Sequence, residues 1–356
     1  FPFQKSELAN GLRVITSHMP YARSVSTTVL VGVGSRYETL ERAGVSHFVE
    51  HLLFKGTGRR PTPAEISGTA EGVGGILNAG TEQELTAYWC KVAKPAAEGC
   101  IDLLIDMLRN SLYDPSEVER ERSVLLEEQN MVKDSPSYRV EALIEGMLWP
   151  DHPLGWDVAG TRESVSTITR EMILEHVAEF YVPSNIVVSV AGDVQHDEIV
   201  GQIDGLCAGW DTQITPTSQR FTDNQHTPRL KIQYRRTEQS HISIALPGLP
   251  MTDPALYALD LLSVVLGEGM SSRLFVEIRE KRGLAYDIHS TVAYFADCGA
   301  FFVNAGVDPK KVYVAVDTIL AEVSRLKEGV MPEELERAKQ LATGRMLLMM
   351  EDTRAV

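Results

Sequence analysis

His47, Glu50 and His51 stand in the order H-x-x-E-H inside the stretch from Ser46 to Phe54. This is the inverse of the metal-binding order H-E-x-x-H. On a helix, His47 and His51 are four residues apart and share a face, and Glu50, three from His47, falls on that face too. Phe48, Val49, Leu52 and Leu53 cover most of the remaining surface, so the helix is expected to be buried nearly all round. Two imidazoles and a carboxylate on such a helix are costly to bury without a partner. Zinc binds imidazole nitrogen and carboxylate oxygen, keeps a fourth position for water in catalytic sites and lowers the pKa of that water to about 7. A carboxylate outside the ligand set can take the proton and pass it to a leaving amine, and Glu50 is assigned that role as general base. The competing reading is a helix with two hydrogen-bonded core histidines and no chemistry.

Two histidines leave a third ligand to find. The segment opening at Asp114-Pro115-Ser116-Glu117 reads as a helix to about Lys133 and carries Glu117, Glu119, Glu121, Glu127 and Glu128. Most acids on a charged helix are solvated surface. Glu121 and Glu128, seven apart, share a face with Val118, Leu125 and Val132, which argues that this face points inward. Glu128 is therefore preferred as third ligand. Glu121 lies one layer out, orienting a histidine or glutamate by hydrogen bonding. Glu127 points roughly 100° away, and a one-residue change of phase would favour it instead.

These residues need a scaffold, and the chain has ample material for one. Its 356 residues suit two domains or one domain built twice, and 44% apolar with 23% charged residues is ordinary for a globular protein. A formal charge of -15 argues against a nucleic-acid or anionic-membrane partner. Cys90, Cys100, Cys207 and Cys298 are scattered, with no C-x-x-C, and read as reduced thiols. No apolar run is long enough to span a bilayer. A bacterial cytoplasm is the expected compartment, with a mitochondrial matrix or periplasm as alternatives.

In chain order, Phe1 to Met19 reads as two strands turning at Asn10-Gly11, and 25–32 as a buried strand. Thr62 is a plausible N-cap for a helix after the 55–63 loop. Ile76 to Val92 reads as a hairpin, and Ala96 to Asn110 as an amphipathic helix. Residues 1–210 are taken as one half, the polar stretch 211–228 as a linker and 229–356 as a second half. The halves look duplicated. Pro95 ahead of a helix parallels Pro309, and Asp114-Pro115 parallels Met331-Pro332, with the offset growing from 214 to 217. In that frame the His helix falls near Leu261 to Glu268, which has no histidine, while Glu121 becomes Ala338 and Glu128 becomes Arg345. One half thus carries the metal set and the other only its architecture. The second half is the shorter, which predicts that it is incomplete at its C-terminal end.

The pattern resembles the inverzincin family of pitrilysin, insulin-degrading enzyme and the mitochondrial and bacterial processing peptidases. The resemblance runs through His47-x-x-Glu50-His51, the following Phe54-Lys55-Gly56-Thr57, the spaced Glu and Asn78-Ala79-x-Thr81 with Glu84, Thr86 and Tyr88. It continues in the second half at Arg279-Glu280-Lys281-Arg282-Gly283-Leu284-Ala285-Tyr286. It implies an α+β fold of two homologous α/β sandwich halves, each a mostly antiparallel sheet packed with helices. It implies one Zn2+ per chain on His47, His51 and Glu128, with Glu50 as base. It also implies that the strand at Asn78 and Ala79 pairs with substrate backbone. Arg279 and Tyr286 are the second half's expected contribution, Arg279 holding substrate carbonyls and Tyr286 stabilising the developing oxyanion. Without the resemblance they read as a helix-end arginine and a half-buried tyrosine. The expected partners are peptide substrates and a homologous subunit, in a homodimer or heterodimer. The expected function is zinc-dependent endopeptidase. A catalytically silent partner subunit is the alternative, disfavoured by the complete metal set, and a zinc hydrolase of other substrates is a third.

Overall fold

A computed structural model describes residues 3–356 of the chain. The first strand expectation began at residues 1 and 2, which lie outside the described residues. Strands β1 (Phe3–Glu7), β2 (Arg13–His18) and β3 (Ser24–Val31) lead to helix α1 (Val45–Leu53) and helix α2 (Pro63–Glu71). Then come β4 (Ile76–Thr81), β5 (Thr86–Ala93), α3 (Ala97–Asn110), α4 (Pro115–Lys133) and α5 (Pro136–Leu148). Helices α6 (Arg162–Thr167) and α7 (Arg170–Phe180), strand β6 (Ile186–Gly192) and α8 (His196–Leu206) follow. The remainder is β7 (Ser240–Pro247), α9 (Leu256–Gly267), a π-helical turn over Phe275–Lys281, β8 (Ala285–Tyr294), β9 (Gly299–Val307), α10 (Val312–Arg325) and α11 (Pro332–Met349).

The chain forms two compact units, and they do not follow chain order. The first comprises residues 1–130, 156–219 and 349–356, and the second comprises 131–155 and 220–348. The linear division at 211–228 therefore describes the long segment without regular structure before β7, while α5 joins the second unit.

The first unit has a six-stranded sheet in the order β1-β2-β6-β3-β5-β4. All its pairings are antiparallel except β2 with β6. Asn10 and Gly11 turn β1 into β2 as expected, with Gly11 at φ 84. The 76–92 hairpin forms as β4 and β5, paired from Ile76↔Lys91 to Thr81↔Thr86. Its outer member, β4, is an edge. Helix α3 buries Ile101, Leu104, Ile105 and Leu108, the stripe its periodicity marks, against β3 and β5.

The second unit has a three-stranded antiparallel sheet, β7-β9-β8. This repeats the order β3-β5-β4, and in both units a short 3-10 turn with a proline joins the central strand to the next two helices. Two related halves, each a mostly antiparallel sheet packed with helices, are the α+β organisation expected from the sequence. Among the described residues no helix is long and apolar enough to cross a membrane. The four cysteines are free thiols.

Candidate metal centre

Helix α1 is built to hold its polar face still. Val45, Phe48, Val49, Leu52 and Leu53 are buried in the main core of the first unit, while His47, Glu50 and His51 are only partly covered. Each large apolar side chain buried this way contributes about 1.5–3 kcal/mol. The start of α1 is fixed by close backbone approach. Gly44, the N-cap, has φ 92, and a Cβ there would sit 2.8 Å from the Ala159 carbonyl. Gly160, at φ 71, would place a Cβ 2.2 Å from the Ala43 carbonyl, so neither position accepts a side chain. Two of the free amides at the start of α1 are taken by one buried carboxylate. Glu38 accepts from Gly44 N at 2.7 Å and Ser46 N at 2.8 Å. Burial pushes the Glu38 carboxyl up to about 7, against the pull of those hydrogen bonds.

Helix α4 brings the acids. Val118, Glu121, Leu125 and Gln129 form its buried face. Gln129 donates to the carbonyl of Ala159 at 2.8 Å, so the same 159–160 turn that meets the start of α1 also anchors α4. Glu128 is half-buried beside the histidines, and its Oε2 lies 3.5 Å from His51 Nε2 and 3.9 Å from His47 Nε2. Glu127 is exposed and accepts from Asn130 instead.

The inner end of the cluster is a chain of contacts. His51 Nδ1 meets Glu121 Oε2 at 3.1 Å, and the other Glu121 oxygen pairs with Lys55 Nζ at 2.7 Å. The carboxyl of Glu121 is pushed up by burial, but the hydrogen bonds from His51 and Lys55 prevail and hold it below the usual carboxylate range. Burial pulls His51 down, yet its hydrogen bonds to Glu121 and Glu128 overcome that and push it up to about 9. His47 is lowered, chiefly by burial and then by the charge of His51. The hydrogen bond from His51 holds Glu128 low despite burial.

His47, His51 and Glu128 each offer one ligand atom, and those atoms lie within 4.8 Å of one another. A tetrahedral zinc with bonds of about 2.0–2.2 Å sets its donors about 3.4 Å apart. Glu128 Oε2, 3.5 Å and 3.9 Å from the two imidazole nitrogens, is near that spacing, and the trio would draw together around the ion. Two imidazoles with one carboxylate is a catalytic zinc donor set. His47 Nδ1 is buried without a hydrogen-bond partner in this structure, which leaves Nε2 as the atom presented to the cluster. The donors present therefore fit the metal.

The structure brings Glu50 to this face from α1, and Asn78 and Ala79 to the middle of the edge strand β4, which packs beside α1. Asn78 is exposed and Ala79 half-buried. Arg279 and Tyr286 belong to the second unit. There the Arg279 guanidinium lies between two rings, 4.8 Å from the centroid of Phe275 and 4.5 Å from that of Tyr286, and donates to the Tyr286 carbonyl at 2.9 Å. Tyr286 is 74% exposed, so it is not the half-buried tyrosine the residue pattern alone suggested. Sequence reasoning did not find Glu38 or the Lys55–Glu121 pair. No local pattern marks Glu38, which acts across a loop. Lys55 was visible as a cation four residues after His51. A separate cavity of about 730 Å³ in the first unit, lined by residues of α2, β5, α3 and α8, shares no residue with this cluster.

The chain is thus a duplicated α+β fold with a possible His-His-Glu metal site in its first unit. The particular family follows from similarity. Residues 13–162 match the insulinase family (Peptidase family M16), and residues 167–342 match the Peptidase M16 inactive domain. The chain is 36% identical to an uncharacterized zinc protease of Streptomyces coelicolor over 99% of its length and 78% of that protein. It is 33% identical to another of Bacillus subtilis, covering 97% of this chain and 83% of the relative. Among solved structures, a protease from Helicobacter pylori superposes with a TM-score of 0.95 at 24% identity, covering 99% of this chain and 87% of that one. A chain of complex III from Candida albicans shares the fold with a TM-score of 0.84 at 19% identity, over 99% and 83% of the two chains. The chain belongs to peptidase family M16.

Proposed function

We propose that this chain is a zinc-dependent endopeptidase acting on peptides and unfolded segments. The observation that carries the reading is the convergence of His47, His51 and Glu128 with a second carboxylate, Glu50, on the helix face of the two histidines and outside the ligand set. Zinc held by these three residues would supply Lewis acidity at the scissile carbonyl and lower the pKa of water to about 7. Glu50 accepts the proton of the attacking water and returns it to the departing amine nitrogen. Glu121 accepts a hydrogen bond from His51 Nδ1–H, which fixes the ring so that Nε2 faces the metal position, and Lys55 balances the charge of Glu121. The free edge of β4 at Asn78 and Ala79 pairs with an extended peptide backbone. Arg279 and Tyr286 are assigned to substrate carbonyls and the oxyanion. A homologous subunit, in a homodimer or heterodimer, completes the reading.

The test is cleavage of a mixed peptide library with and without a chelator. Wild type is expected to cleave and to stop when metal is removed. Glu50→Gln is expected to keep about one zinc per chain by metal analysis while cleavage falls to background. Full activity in Glu50→Gln would remove that residue as the base. Cleavage indifferent to the chelator would overturn the metal reading, and zinc binding with no cleavage of any peptide would favour a silent subunit.

A further inference from the structure

The Glu50 carboxylate makes one hydrogen bond among the described residues, and its partner is not on α1. Thr81, the last residue of β4, donates its hydroxyl to Glu50 Oε2 at 2.6 Å. Thr81 is itself backed by a buried residue. Thr86, its partner across the β4–β5 pair, has its Oγ1 3.5 Å away and donates to the Val33 carbonyl at 2.9 Å. Behind them Tyr88 and Tyr181, both buried, join their hydroxyls at 2.8 Å. The hydroxyl that meets the carboxylate thus stands at a strand end whose neighbours Thr86 and Tyr88 are fully buried.

A glutamate side chain turns about several bonds and loses that freedom only where a strong partner holds it. A base that must meet a proton within hydrogen-bond reach depends on such a hold. The second unit supplies a contrast. Tyr294 ends β8 as Thr81 ends β4, and its hydroxyl donates to Asp260 on α9 at 2.6 Å, with the Leu256 carbonyl 3.0 Å away. A bond from strand end to helix therefore exists where there are no histidines, and a purely structural staple is the reading to beat.

We propose, resting on the peptidase reading above, that Thr81 is a positioning residue for the reaction. Its hydroxyl holds the Glu50 carboxylate in the orientation from which it takes and returns a proton. One strand then sets both the register of the bound peptide, through its free edge, and the aim of the base, through its last side chain.

The experiment compares Thr81→Val, which keeps the shape without the hydroxyl, with Thr81→Ser, which keeps the hydroxyl, in the full zinc-loaded chain. Thr81→Val is expected to lose kcat by about tenfold or more with KM changed by less than about twofold, zinc content and Tm staying at wild-type values. Thr81→Ser is expected to recover most of kcat. The proposal is overturned by wild-type kcat in Thr81→Val, by equal losses in the two variants, or by a loss of kcat that only follows a fall in Tm or zinc content. Crystal structures of wild type and Thr81→Val give a readout without turnover. A carboxylate that swings away in the variant supports the proposal, and one that stays in place overturns it. If wild type cleaves no peptide, the peptidase reading fails by itself, and the crystal comparison still decides whether Thr81 aims Glu50.

Discussion

The same helix pair occurs twice in this chain and has been filled in opposite ways. In the first unit α1 and α4 face each other with His47, Glu50, His51, Glu121 and Glu128. In the second unit α9 and α11 stand in their place. With the offset of 214 that aligns the ends of the first helices, the corresponding residues are Leu261, Val264 and Val265, and with that of 217 they are Ala338 and Arg345. Val264, Val265 and Ala338 form a small buried cluster flanked by Leu261 and Leu341. Arg345 reaches back to Glu268 at the end of α9, 2.8 Å away. An apolar plug needs no partner, whereas a cluster of ionisable groups at the same packing position costs stability unless something binds it. The polar version is the one whose cost calls for a ligand.

The comparison breaks most sharply at Glu128. Replacing it with the residue of the second unit, Glu128→Arg, is expected to lower zinc affinity by at least about 100-fold, since a donor becomes a cation. Glu127→Arg is expected to leave zinc content unchanged, because that side chain points to solvent. Metal analysis after dialysis reads both. Zinc loss in the Glu127 variant alone would reverse the choice of ligand.

A smaller effect sharpens the contrast at the start of α1. A carboxyl raised to about 7 keeps its proton in the folded chain at pH values where the unfolded chain has released it. Its contribution to stability is therefore full below about 4.5 and is lost as pH rises toward 7, by roughly 3 kcal/mol in all. Glu38→Gln cannot titrate. Denaturant melts from pH 4.5 to 7.5 are expected to show a shallower fall of stability with pH in this variant than in wild type. Parallel curves for the two would remove Glu38 from the account. The smallest effect is expected in the second unit. The Arg345–Glu268 pair is about half exposed, so Arg345→Leu should change stability by no more than about 1 kcal/mol and leave zinc content alone.

Much of this centre is legible in the sequence. The spacing of His47, Glu50 and His51 prints their common face directly, because a 3.6-residue repeat leaves little choice. The same arithmetic separated Glu128 from Glu127 on α4, and the structure has the first beside the histidines and the second in solvent. The 76–92 hairpin and the α3 stripe were readable for the same reason. What could not be read depends on residues distant in sequence meeting through the fold. Glu38 reaches the start of α1 across a loop, and Thr81 meets Glu50 only because β4 lies beside α1. The parallel pairing of β2 with β6 joins segments about 170 residues apart, with no local signal at either. Nor does periodicity reveal that 131–155 belong with the second unit although the segment begins inside the last turn of α4.

The outer position of β4 has a consequence for what can be cut. Its six residues offer about 20 Å of extended backbone for pairing. On the proposed reading, a segment must lie straight over that length before its amide reaches Glu50, so helices and folded domains are spared until they unravel. Selection then rests on the looseness of the victim and hardly on the letters it is spelled with.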